Sequence, residues 1–270
     1  GPSAARRGHD VTLWERESRL GGQMALFSRL PARDAFGELL RWYERALPEA
    51  GVKICLNKTA DPESVKAGGF DQCVIARGRG YKPVSLEIAP DAVPVYTMLD
   101  WFEKQPVLPP RVAVIGGSFV GLEIARAILM DASLSPEDLF YRMRYGVEPD
   151  ETLHRQLRRS DRTAAVFEKG PKLGAGYEPG IAWPTLGDLN RFGAELRKNT
   201  QVTAITREGV VTEEGLWPCD AVVVCPGTTA DTALYDALSP HLPCDTVGNA
   251  ARLGRAIDAI EAGCRLGCTI

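Results

Sequence analysis

The stretch Val112-Ala113-Val114-Ile115-Gly116-Gly117-Ser118-Phe119-Val120-Gly121-Leu122-Glu123 limits the fold more than any other. A short apolar run enters a glycine turn, and an apolar helical pattern leaves it. That is the signature of a buried strand turning directly into a helix. The spacing approximates G-x-G-x-x-G, in which Gly116 permits the tight turn and Gly121 lets the helix pack close to the strand. Ser118 stands where the middle glycine is expected, but it is small enough for a pyrophosphate to approach. The helix N-terminus then offers free N–H groups and a partial positive charge. Gly116, Gly117, Ser118, Val120 and Gly121 are therefore candidate contacts for a nicotinamide dinucleotide. A second strand, Ala164 to Glu168, ends in an acid. A carboxylate there accepts from the ribose 2′-OH of NADH and repels the 2′-phosphate of NADPH, so NADH is favoured. The alternative is a tight strand–helix turn with no ligand.

Around this unit, strands alternate with helices. His9 to Glu15 reads as a strand, preceded by a helix end closed at Gly8. Leu20-Gly21-Gly22-Gln23 is a glycine turn. Asp34 is placed to cap a helix reaching Ala50, with Phe36, Leu39, Leu40, Tyr43 and Leu47 at helical spacing. Val52 to Leu56 and Asp71 to Ala76 follow as strands. Residues 83–110 are proline-rich and read as an irregular crossover with a small helix from Met98 to Lys104. Residues 133–160 hold two polar amphipathic helices, the first opened by Ser135-Pro136-Glu137, and read as an insertion. Residues 195–217 alternate like antiparallel strands turning near Glu208-Gly209. Asp220 to Cys225 is a buried strand, and a last helix runs from Arg252 to Leu266. The expected class is α/β with parallel sheets.

Composition narrows the function classes. The net charge of −3 on 270 residues gives no reason to expect a nucleic-acid or anionic-membrane surface, and no apolar run reaches the roughly 20 residues of a membrane span. The N-terminus shows no signal peptide, and the chain reads as cytoplasmic. The seven cysteines form no C-x-x-C pair and read as inert thiols, with Cys264 and Cys268 four apart on a helix face. His9, His154 and His241 sit in unrelated contexts, so neither a metal centre nor a nucleophile triad is expected. Trp183-Pro184, after Tyr177-Glu178-Pro179-Gly180, reads as an aromatic packing cluster, with a nicotinamide pocket wall as the alternative. The arginines from Arg155 to Arg162 read as a solvated helix face, with partner docking as the alternative.

The N-terminal strand repeats part of the same logic. Glu15 ends it where an adenosine-ribose acid would sit, yet no first strand and glycine turn precede it. Either the chain is a fragment or this site has decayed. Gly8-His9-Asp10-Val11-Thr12-Leu13-Trp14-Glu15, followed by Leu20-Gly21-Gly22-Gln23, resembles the C-terminal FAD/NAD(P)-binding module of old yellow enzyme-type NADH:flavin oxidoreductases. Those include 2,4-dienoyl-CoA reductase and trimethylamine dehydrogenase. The Gly116 turn, the run Phe167-Glu168-Lys169-Gly170-Pro171-Lys172-Leu173-Gly174, and the tail Val247-Gly248-Asn249-Ala250 with Ala256 to Gly263 are similar to the same module.

The resemblance implies two Rossmann-like domains of glutathione reductase type. A flavin-type domain, residues 1–105 and 219–270, is discontinuous; a nicotinamide-type domain, 106–218, is inserted in it and carries the helical insertion 131–161. It implies FAD held near Glu15, Gly21, Gly22, Gln23, Gly78, Gly248 and Asn249, and hydride passing from NAD(P)H to FAD. Electrons would then move to an FMN barrel in a partner domain or subunit, which this sequence does not contain, and an oligomer is a further implication. Three departures touch the flavin region. The family's Ala-Thr-Gly is Ala76-Arg77-Gly78, its Gly-Asp is Gly248-Asn249, and its first fingerprint is missing; a second Ala-Thr-Gly-like turn is Cys225-Pro226-Gly227. They imply weakened or lost FAD binding, or drift within a working site. Two functions follow: a flavin-dependent oxidoreductase module, or a degenerate non-catalytic partner subunit that keeps the fold and one nucleotide. In neither does a side chain stand out as a catalytic acid or base.

Overall fold

The computed structural model describes residues 1–177, 180 and 182–270. The chain forms two compact units, Gly1–Lys82 with Thr228–Ile270, and Pro83–Gly227. Both are mixed α/β.

The first unit opens with α1 (Pro2–Arg6), β1 (Thr12–Trp14), α2 (Gly22–Phe27), α3 (Asp34–Glu49), β2 (Lys53–Cys55), α4 (Pro62–Ala67), β3 (Cys73–Ile75) and β4 (Arg79–Tyr81). Asp34 is the first residue of α3 and not its cap, a position held by Arg33. Its carboxylate still lies where the helix dipole favours an anion. β1 and β2 pair in parallel, Leu13 opposite Ile54.

The second unit runs through β5 (Glu87–Ile88), β6 (Val95–Thr97), α5 (Met98–Lys104), β7 (Arg111–Ile115), α6 (Phe119–Asp131), α7 (Pro136–Tyr145), α8 (Asp150–Gln156), β8 (Thr163–Glu168), α9 (Ala182–Arg191), β9 (Glu195–Lys198), β10 (Val202–Ile205), β11 (Gly209–Thr212), β12 (Gly215–Pro218) and β13 (Ala221–Val224). Its main sheet has the order β6-β13-β7-β8-β9 and is parallel throughout. Val112 to Val114, Ala164 to Phe167 and all of β13 are buried, as strands covered on both faces must be. α6 is apolar on most of its circumference for the same reason, with Glu123 and Arg126 as exceptions; burying each large aliphatic side chain contributes roughly 1.5–3 kcal/mol.

Three expectations change here. Residues 83–110 are not simply irregular, because β5 and β6 lie within them and β6 joins the main sheet beside β13. Residues 195–217 are not wholly antiparallel: β9 pairs in parallel with β8, and only β10, β11 and β12 form the antiparallel meander. β9 is an edge strand, half-exposed, so its polar–apolar alternation imitates an antiparallel one. The helix after the glycine turn, expected from Leu122 to Met130 with the turn reaching Gly121, begins at Phe119, so Gly121 lies inside α6.

The chain then completes the first unit with β14 (Thr228–Ala230), α10 (Ala233–Leu238), β15 (Cys244–Thr246), a 3-10 turn over Gly248–Ala250, and α11 (Ala256–Thr269). β14 pairs antiparallel with β4, and β15 pairs in parallel with β3. α11 starts four residues later than Arg252 because the loop before it is tied to the 3-10 turn: the Asn249 side-chain oxygen accepts from the Gly254 N–H at 2.7 Å. Val65, Ile75, Leu234, Leu238 and Ala250 form this unit's buried core, with Trp14 packed against it.

Candidate functional site

In the second unit the glycine turn is built by steric necessity. Gly116 has φ +108°, and a Cβ there would collide with the Cys225 carbonyl. A Cβ on Gly117 would meet Leu173 and the Glu168 Cβ, and one on Gly121 would overlap the Gly116 carbonyl oxygen. Backbone thus approaches backbone at Gly116 and Gly121, and the side chains of Leu173 and Glu168 crowd Gly117 between them. Ser118 is the N-cap of the 13-residue α6, and its side chain makes no capping bond. Val120 is buried beneath it. Glu168, at the end of β8, reaches across: its carboxylate accepts from Gly117 N–H at 2.9 Å and from Gly170 N–H at 2.8 Å. Each oxygen retains a further lone pair. All six nicotinamide candidates therefore lie at one place, the carboxyl edge of β7 and β8.

The turn is closed from outside by residues that the sequence reading did not name among the nucleotide contacts. Gly174 N–H donates to the Gly117 carbonyl at 2.7 Å, and Phe119 N–H to the Ala175 carbonyl at 2.9 Å. Tyr177 stacks edge-on against Phe119, ring centroids 4.7 Å apart. Its hydroxyl donates to Glu123 at 2.6 Å, and Thr185 donates to the same oxygen at 2.9 Å. Glu123 is wholly buried on α6. One signal could have found it, since it is the lone acid in the run from Phe119 to Met130. A charge in such a helix needs partners.

The flavin candidates lie in the first unit and are less concentrated. The Glu15 carboxylate accepts from Glu17 N–H at 3.0 Å, so it is turned onto its own chain. Gly21 is left-handed, with φ +114°, and a Cβ on it would also strike the Leu40 side chain of α3 at 2.7 Å. Gly22 and Gly78 also have positive φ, +48° and +83°. Gln23 accepts from Arg79 at 2.9 Å, which brings α2 to the residue after Gly78. Arg77 pairs with Asp231 at 3.5 Å. Gly248 and Asn249 line an open groove of about 160 Å³ together with Arg252, Gly254, Arg255 and Asp258. Gly248 has φ +61°, and a Cβ there would press on Ala259 of α11. The Asp258 carboxyl sits at about 2, held down by the Arg255 side chain and backbone N–H.

Elsewhere the side chains are occupied structurally. His9 lies 2.9 Å from the Ile270 carbonyl, while His154 and His241 are exposed. The run from Arg155 to Arg162 leaves α8 after Gln156, so it is not a continuous helix face. Arg162 turns inward and pairs with Asp131, also donating to the Leu108 and Ile128 carbonyls. Glu178 and Pro179 lie outside the described residues. Trp183 is 68% exposed, which does not fit a packing cluster. Cys219 and Cys225 are buried, and burial pushes their thiols up to about 11 and about 12.

The second unit fits a dinucleotide: a cradle that any Cβ would fill, a helix N-terminus behind it, and a carboxylate at its lip. The first unit offers glycines and a polar groove, but its flavin candidates stand apart.

Comparison with known proteins agrees with this layout. The chain is 30% identical over 269 residues to a metal reductase of Desulforamulus reducens, covering 96% of the chain and 40% of that protein. It is 26% identical to an NADH oxidase of Thermoanaerobacter brockii, covering 97% of the chain and 37% of that protein. A structure of 2-naphthoyl-CoA reductase with 2-naphthoyl-CoA superposes over the whole chain with a TM-score of 0.76 and 25% identity, covering 38% of that protein. The chain thus spans about two fifths of the relatives it matches. The pattern of the pyridine nucleotide-disulphide oxidoreductases, a family that binds FAD and NAD(P)H, extends over residues 2–249. The chain belongs to the pyridine nucleotide-disulphide oxidoreductase family.

Proposed function

We propose that this chain is the nicotinamide- and flavin-handling module of a larger NAD(P)H-dependent flavin oxidoreductase, and that electrons leave it for a partner domain or subunit. The observation that carries the reading is the Gly116–Gly121 turn with the Glu168 carboxylate bonded across it. Gly116, Gly117, Ser118 and the start of α6 bind the pyrophosphate; Val120 and Gly121 hold the helix close; Glu168 receives the adenosine ribose. Bound there, NADH supplies a hydride for which FAD is the acceptor. The protein's own work is to position and to exclude water, and no side chain is needed as acid or base. Glu15, Gly21, Gly22, Gln23, Gly78, Gly248 and Asn249 are the proposed flavin contacts. The units proposed for these tasks are Gly1–Lys82 with Thr228–Ile270 for the flavin and Pro83–Gly227 for the nicotinamide nucleotide, in place of the expected 1–105 with 219–270, and 106–218, because β6 and β13 belong to the sheet of the second unit. The lengths of the relatives support a partner, since each carries more than half its chain beyond the part matched here.

Nucleotide titration tests the site. The wild-type chain should bind NADH more tightly than NADPH. Glu168→Gln keeps an acceptor but removes the charge, and should cut that preference about tenfold, equal to about 1.4 kcal/mol. Equal affinity of the wild type for both nucleotides would remove the role given to Glu168.

A further inference from the structure

α7 turns only a narrow side toward the rest of its unit. None of its residues is buried, and only Leu139 and Arg142 are half-buried; Arg142 is tied to Glu148 and Gln156. The outer side carries Phe140 at 65% exposure, Tyr141 at 59%, Met143 at 60% and Tyr145 at 63%. Tyr141 and Tyr145 meet, ring centroids 4.8 Å apart, and exposed apolar side chains grouped on one helix mark an interaction site.

The charges on this face are ordered. Glu137 and Asp138 occupy the first turn, and Arg142 and Arg144 the last. Glu137 and Arg144 are seven residues apart, so they share one side of the helix, about 10 Å apart along its axis. Phe140 and Tyr141 lie between them. The Arg144 guanidinium is already held near two rings, 5.9 Å from the Phe140 centroid and 6.0 Å from that of Tyr145. Such a face is complementary to itself when reversed. A partner of one charge sign would meet repulsion over half of it, whereas a second copy meets none.

We propose that this face is the contact of a symmetric dimer, in which the α7 helices of two copies pair antiparallel about a twofold axis between Phe140 and Tyr141. Each copy's Phe140 then lies on the other's Tyr141, and each Glu137 faces the other's Arg144. The contact is isologous, as twofold interfaces are. Its centre is aromatic and its ends are charged, the distribution found in protein interfaces.

Sedimentation equilibrium of the whole chain, over a wide range of concentrations, tests the proposal. The wild type should show a concentration-dependent dimer. Tyr141→Asp should abolish it, with circular dichroism and thermal unfolding unchanged because the position is exposed. Glu137→Arg and Arg144→Glu should each weaken it by about tenfold, and the double variant, in which the charges are exchanged, should restore it. A monomer at every concentration would overturn the proposal, whether or not the face binds another protein. A dimer indifferent to Tyr141→Asp would do the same, as would single charge reversals that the double variant fails to rescue.

Discussion

At the scale of single residues, the account rests on atoms that cannot be enlarged. Gly121 is the sharpest case: a methyl group there overlaps the Gly116 carbonyl oxygen, which is backbone and cannot rotate away. Gly121→Ala should therefore cost about 1–3 kcal/mol of stability and weaken NADH binding at least tenfold, measured by thermal unfolding and nucleotide titration. A variant as stable and as tight as the wild type would show that the turn yields. The cysteines give an independent check on burial. The Cys225 thiol is pushed up to about 12 by burial, and Cys219 to about 11, so neither supplies thiolate near neutral pH. Cys264 and Cys268 are exposed on α11. Alkylation of the folded protein at pH 8, read by peptide mass, should label Cys264 and Cys268 first and spare Cys225 until unfolding. Labelling of Cys225 in step with the exposed pair would mean that the core of the main sheet opens.

Helices and strands show where sequence signals carry over and where they fail. α5 covers Met98 to Lys104 as expected, because Thr97 and Asp100 form a reciprocal cap. The Asp100 carboxyl is brought to about 2, first by Lys104 and then by Thr97. Its value in the folded chain lies below the unfolded value of about 3.9. Its contribution to stability is thus complete above about pH 4 and is lost as pH falls through about 2. Stability should drop over that window, and Asp100→Asn should remove its share of the drop in an acid-unfolding series; a variant with the same pH dependence would contradict the cap. Thr97→Ala should cost about 1 kcal/mol at any pH where the cap is intact. By contrast, β6 was hidden in a proline-rich stretch because three residues between Pro94 and α5 carry no alternation to read. β9 was assigned the wrong direction because edge strands of either kind alternate. The glycine turn at Gly116 was legible because sterics leave few residues that can occupy it. Glu123, Tyr177 and Thr185 were not, because their meeting depends on α9 and the loop after β8 folding back onto α6.

At the scale of the molecule, the chain has two units of one kind, and they differ in how much of a cofactor site each displays. The unit at Pro83–Gly227 gathers its six nucleotide candidates at one place, from the glycine turn, the first turns of α6 and the end of β8. The unit formed by both ends of the chain carries its flavin candidates on separate segments, with Glu15 and Asn249 each bonded to neighbouring backbone. This contrast keeps the degenerate-partner alternative in competition with the reductase reading, and cofactor chemistry separates them. Among the described residues, no helix is long and apolar enough to cross a membrane. The most direct measurement is an anaerobic absorbance titration of the purified chain, incubated with FAD and freed of excess, against NADH. The account predicts a retained flavin band near roughly 450 nm that bleaches with about one NADH per flavin. A chain that retains no flavin, or whose flavin stays oxidised in excess NADH, would contradict it.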